Sequence, residues 1–315
     1  MSALARFWTR SYAPDYLGFV ILAVAYTLIA LLVEPFHRLF FINDLAISFP
    51  HAEHERVPVV WNVLYAGAVP LLLLIAINTL TRASVHKHHV TILGLLIALV
   101  LTSFLTDTVK NAVGRPRPDL VARCKPAPGT PENTLVGIDV CTEVRPHVLH
   151  DGWRSFPSGH SSFSFAGLGY LSLFVAGQVR LFVVGGAGGA VPQGDEGEQV
   201  RAVYARGDLA RALLCLAPVL GAAMIAISRC QDYRHDVYDV CTGSLLGSVM
   251  AYWSYRRYWP RLGSWHCSEP YPGPSNDVGG PLYGRLRDEE EGGTGPRTGT
   301  RTRSNVGLEL GVLPS

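Results

Sequence analysis

Residues 155–178 read SFPSGHSSFSFAGLGYLSLFVAGQ, a knot of small polar residues around one histidine that runs straight into an apolar stretch. Apolar stretches recur along the chain, and about 20 such residues carry a helix across the hydrocarbon of a bilayer. Six segments fit, at 17–33, 57–80, 89–109, 161–178, 209–228 and 236–255. The first closes at Glu34-Pro35, a pair that suits a helix end. The second contains Pro70, which a membrane helix tolerates with a kink. The fourth is short and the sixth carries polar residues, so these two depart furthest from the pattern. The expected fold is all-α, a polytopic membrane protein built as a six-transmembrane-helix bundle.

Composition agrees. The 315-residue chain has a formal net charge of +2, a positive mean hydropathy and 17% charged residues, against about a quarter in an average soluble domain. Its basic residues are scattered rather than striped, which argues against a nucleic-acid binder. The first apolar run is too long for the core of a cleaved signal peptide and is expected to stay in the membrane as an anchor. The expected organisation is a cytosolic segment at 1–16, one six-helix domain at 17–260 and a disordered tail at 261–315. Within the domain, 182–207 is Gly-rich and reads as a flexible loop. The cysteines are Cys124, Cys141, Cys215, Cys230, Cys241 and Cys267, and none has zinc-site spacing. Cys124 and Cys141 share one polar loop; they pair if that loop meets an oxidising compartment, and are free thiols otherwise.

An even number of spans puts both termini on one side, side A, and the loops after the first, third and fifth helices on side B. Three polar clusters then share side B. KNAVGRPRP supplies Lys110, Arg115 and Arg117; the opening stretch supplies Ser158, Gly159 and His160; SRCQDYRHDVYD supplies Ser228, Arg229, His235 and Asp239. Each alone has an ordinary explanation. A lysine at a helix end snorkels to headgroups, Ser-Gly caps a helix, and His235 with Asp239 at i, i+4 makes a structural pair. Their convergence on one face is what those explanations leave out.

As chemistry, the clusters fit one phosphorylated substrate. Lys110, Arg117 and Arg229 supply cations, and the arginines grip phosphate oxygens in pairs. Ser158 and the N–H of Gly159 open a helix, where free donors and the helix dipole favour an anion. Asp239 orients His235 as the acid of a triad does, so His235 is the expected nucleophile and His160 the general acid.

At these residues the chain resembles the type 2 phosphatidic acid phosphatase superfamily, the lipid phosphate phosphatases. Its motifs Lys-x6-Arg-Pro, Pro-Ser-Gly-His and Ser-Arg-x5-His-x3-Asp stand here as Lys110 to Arg117-Pro118, Pro157 to His160, and Ser228-Arg229 to His235 and Asp239. The resemblance covers roughly residues 14–260, and FFINDLAISFPHAEHERVP at 40–58 looks like the diacylglycerol pyrophosphate phosphatase branch. It implies a six-helix membrane enzyme that hydrolyses phosphatidate, lysophosphatidate or diacylglycerol pyrophosphate through a phosphohistidine, with no metal and no cofactor. Vanadium haloperoxidases share the motifs, but the apolar spans argue against that reading. An isoprenoid diphosphate phosphatase, a lipid phosphotransferase and a non-catalytic lipid-phosphate binder are the alternatives.

The expected partners are a membrane lipid phosphate and the bilayer, with no nucleic acid; a homo-oligomer stays open. Side A carries Arg6, Arg10, Arg82, Lys87, Arg180, Arg256, Arg257 and Arg261 near helix ends, a modest excess by which it is expected to be cytosolic. The site then faces the lumen of an endomembrane compartment (vacuole, endoplasmic reticulum or Golgi) or the cell exterior.

Overall fold

The computed structural model describes residues 11–183 and 208–273. The expected segment 1–16 is described only from residue 11, the Gly-rich loop beyond 183 lies outside the described residues, and so does the tail from 274 onward. Among the described residues the chain is mostly helical, with isolated bridges but no strand.

The long helices are α1 (Ala13–Leu32), α2 (Val59–Leu80), α3 (Val85–Val113), α4 (Gly159–Gln178), α5 (Asp208–Gln231) and α6 (Val237–Tyr258). Four of them, α1, α2, α3 and α5, are long and apolar enough to cross a membrane. The expectation of six spans is met by composition only at those four. The reason lies in packing. α4 sits against α3, α5 and α6 and buries Ser161, Ser162, Ser164, Gly167 and Tyr170 among them, so its neighbours are helices rather than lipid. No residue of α1 is buried, by contrast, and its apolar surface is open along its length. The contact between α4 and α6 is close enough to need a glycine: a Cβ on Gly247 would fall 2.1 Å from the Ser162 carbonyl oxygen.

α3 runs a turn further at each end than expected. Ser84 caps its start by accepting from the Lys87 N–H. Gly114 ends it in the left-handed region, φ 58°, with its N–H returned to the Lys110 carbonyl. A side chain at Gly114 would also strike the Phe36 carbonyl at 1.8 Å, so only glycine fits. This extra turn makes Lys110 a helical residue.

The loops between α1 and α2 and between α3 and α4 form a cap with its own small core of Phe40, Ile47, Leu120, Cys124 and Trp153. Trp153 Nε1 donates to the Arg38 carbonyl at 2.8 Å, and Cys124 and Cys141 are joined as a disulfide. At the opposite end, residues 261–273 pack onto the bundle instead of starting the expected tail. The Cys267 thiol, buried, donates to the Gly177 carbonyl at 3.4 Å, and the Tyr271 N–H donates to the Tyr258 carbonyl at 2.9 Å. Composition misleads here because the partners that hold this segment are largely backbone groups.

Candidate active site

The C-terminal end of α3, the N-terminal ends of α4 and α6 and the C-terminal end of α5 meet under the cap. Each sequence-predicted residue lies at this one end of the bundle. Lys110 Nζ comes within 3.3 Å of the position a Cβ on Gly159 would take, which joins the first cluster to the second. Arg117 NH1 lies 3.5 Å from His235 Nε2, which joins the first to the third. The Ser158 N–H donates to the Asp239 carbonyl at 2.9 Å, which joins the second to the third. Lys110, Arg117, Arg229, His235 and Asp239 are all buried.

The two faces of the His235 ring differ. Nε2 faces the Arg117 guanidinium, while Nδ1 is 3.7 Å from Asp239 Oδ2. That second distance is an ion-pair separation, beyond a hydrogen bond. Asp239 is held elsewhere: Oδ2 accepts from Ser155 Oγ at 2.5 Å and from the Asp236 N–H at 3.1 Å, and Oδ1 accepts from Arg115 NH1 at 2.8 Å. Ser158 Oγ caps its own helix, accepting from the Ser161 N–H at 3.5 Å and from Ser161 Oγ at 3.0 Å. The open donors of the cradle are therefore the N–H groups of Gly159 and His160, which have no carbonyl one turn back to receive them. Arg229 NH1 reaches the Val57 carbonyl at 3.2 Å and Glu55 Oε2 at 3.1 Å, and its Nε is buried without a hydrogen-bond partner.

Residues 91–262 match the family described as the PAP2 superfamily. Diacylglycerol pyrophosphate phosphatase 1 of Saccharomyces cerevisiae is 42% identical over 233 residues, 73% of each chain. Lipid phosphate phosphatase 2 of Arabidopsis thaliana is 33% identical over 252 residues, 80% of this chain and 78% of the relative. The chain belongs to the lipid phosphate phosphatases of the PAP2 superfamily. It is a membrane protein by that kinship and by its four apolar helices. No solved structure gives a significant match.

In this PAP2 protein the structure adds residues that the sequence left unassigned. Arg115 bridges the start of α6, donating to Asp239 and, through NH2, to Asp236 Oδ2 at 2.9 Å. Asp236 and Asp239 form a reciprocal capping box, whose signal, two acids three apart before a helix, was present in HDVYD. Asp151, on the short helix Pro146–Asp151, accepts from Arg117 NH2 at 2.7 Å and Arg123 NH1 at 3.0 Å. Burial alone would raise the Asp151 carboxyl, but Arg117 and Arg123 hold it well below the usual carboxylate range. No sequence signal marks Asp151, because its partners lie 34 and 28 residues away. Burial, then Arg117, Lys110 and Arg229, push His235 well below its ordinary 6.5. Its imidazole is neutral at pH 7, the form a nucleophile needs.

Proposed function

We propose that this protein hydrolyses the phosphomonoester of phosphatidate or lysophosphatidate, and the pyrophosphate of diacylglycerol pyrophosphate, through a phosphohistidine and without a metal. The observation that carries the reading is a set of buried polar atoms left open at one place. His160 Nε2 and Arg229 Nε lack hydrogen-bond partners beside the buried cations Lys110 and Arg117. Each such atom costs about 1–3 kcal/mol, and native proteins keep few of them. A phosphate supplies the acceptors that the donors among them want. The names of the relatives point to the same lipid class.

In the proposed reaction Lys110, Arg117, Arg229 and the Gly159 N–H hold the non-bridging oxygens. His235 Nε2 attacks phosphorus, and the P–O bond to the lipid breaks as His160 gives its proton to the leaving oxygen. His160 then takes a proton from the water that attacks phosphorus, the P–N bond breaks, and inorganic phosphate leaves. Asp239 supports the cationic character that His235 acquires. The cations at this end take the charge-neutralising role, since Asp151, Glu55, Asp232 and Asp239 are each ion-paired to an arginine.

All six helices are proposed to cross the bilayer, with both termini cytosolic and the site on the lumenal or outer face. The disulfide in the cap supports that orientation, because such bonds persist in oxidising compartments. The test is phosphate release from detergent-dispersed phosphatidate and diacylglycerol pyrophosphate with a chelator present. Turnover with a label on His235 is expected; activity that appears only on adding a divalent metal would sink the mechanism.

A further inference from the structure

Below the site, α2, α4 and α5 flank an open groove of about 390 Å³. Val69 and Leu73 of α2, Leu168 and Leu171 of α4, and Gly221 and Ile225 of α5 line it, and no charged side chain does. Local sequence opens it. A π-helical turn at Leu64–Ala68 distorts α2 just ahead of Val69, a feature frequent at functional positions. Pro218, also on the lining, lacks the N–H that would bond one turn back in α5. Gly221 leaves its wall thin, since a Cβ there would meet Leu168 at an ordinary 3.7 Å.

We propose that this groove holds one acyl chain of the lipid whose phosphate lies between Arg229 and His235. The inference rests on the function proposed above. Groove and phosphate clamp are one packed unit: Leu168 and Ile225 share a cluster with Ala66 and Ala222 that Val57 joins, and the Val57 carbonyl accepts from Arg229. On α5, Ile225, Gly221 and Ala217 fall about 6, 12 and 18 Å beneath Arg229 at 1.5 Å per residue. That depth is about one leaflet, half of a hydrocarbon core about 30 Å thick. The occupant is therefore a chain of the leaflet that presents its headgroup to the site.

The test compares a lipid with a chainless substrate on the full-length protein in nanodiscs. Gly221→Leu fills the groove, and is expected to raise KM for dioleoyl phosphatidate about tenfold, the worth of roughly two displaced methylenes. Turnover of 4-nitrophenyl phosphate should stay within about twofold of the parent. An equal loss on both substrates, or an unchanged KM for the lipid, would overturn the proposal. Wild-type protein photolabelled with a phosphatidate carrying a mid-chain diazirine decides the matter even where the variant does not fold. Labels are expected within Val69–Leu73, Leu168–Leu171 or Ala217–Ile225; labels confined elsewhere, or cross-links between copies, would refute it. Labelling in the groove by a protein that releases no phosphate would uphold the chain site and refute the proposed activity.

Discussion

Lys87 and Lys110 stand at opposite ends of α3, and both are buried, at 5% and 7% exposure. Lys87 is fully satisfied. Its Nζ donates to Gln178 Oε1 at 2.9 Å, the Ser268 carbonyl at 2.7 Å and Glu269 Oε1 at 3.1 Å, which uses all three protons of an ammonium. Nothing among the described residues accepts a hydrogen bond from Lys110, which faces the Gly159 turn. Residue type, helix and burial are shared, so the difference lies in the company each keeps. A buried cation whose partners are complete is a strut, here clamping residues 261–273 to the bundle. One left without acceptors is held ready for an anion that comes and goes.

The histidines give the strongest way to break this contrast. His235→Ala is expected to abolish hydrolysis of every substrate and to leave no trapped phosphoenzyme. His160→Ala should lose about 10²–10⁴-fold on phosphatidate, the range for removal of a general acid, and clearly less on 4-nitrophenyl phosphate, whose leaving group needs no proton. The roles are reversed if His160→Ala is dead on every leaving group while His235→Ala still turns over the aryl ester.

The lysines come next. Lys110→Met should lower kcat about 10²–10³-fold, as loss of one oxyanion-stabilising group does, with no fall in thermal midpoint. Lys87→Met removes the donor to Gln178 Oε1 and Glu269 Oε1 and leaves the Ser268 carbonyl only the Gln178 Nε2 donor, and should cost about 1–3 kcal/mol of stability while activity per folded molecule holds. Both are read from one melting curve and one assay; matching losses of stability would erase the distinction. A smaller effect is expected at Arg115. Arg115→Lys keeps the charge but not the fork that spans Asp236 and Asp239, and kcat should fall about tenfold, one hydrogen bond's worth. An unchanged kcat would mean that Ser155 and the capping box hold Asp239 unaided.

What the sequence disclosed follows the same division. The motif residues were legible because their types and spacings are unusual next to apolar runs, and helix ends fixed them to one face. The supports were not. Ser155, Arg115 and Asp239 meet across 84 and 124 residues, and no local pattern announces such a meeting. α4 and α6 read weakly as spans because polar and small residues that would repel lipid are buried between helices. Residues 261–273 read as tail because Lys87 finds an acceptor in a backbone carbonyl, which every residue possesses.

The smallest expected effect is a slope of stability against pH, and it tests whether the site end differs from the strut end in its protons as well. Burial, with Arg117, Lys110 and Arg229 after it, lowers the His235 pKa well below 6.5. In the unfolded chain the same imidazole takes a proton near pH 6.5. Below that pH the unfolded state binds the extra proton and the native state does not, so stability declines as pH falls, by up to about 1.4 kcal/mol per unit. The acid limb of kcat/KM should for the same reason lie below 6.5. Inorganic phosphate, by placing negative charge beside His235, should flatten the slope; Lys87→Met should not touch it. His235→Ala should lessen it. One other histidine outside the spanning helices competes for the effect: His37, which pairs with His150 at 2.8 Å and is also lowered, by burial first. A slope unchanged by His235→Ala and lessened by His37→Gln would move the titration from the phosphate site to the cap, leaving Lys110 rather than His235 as the better marker of an open site.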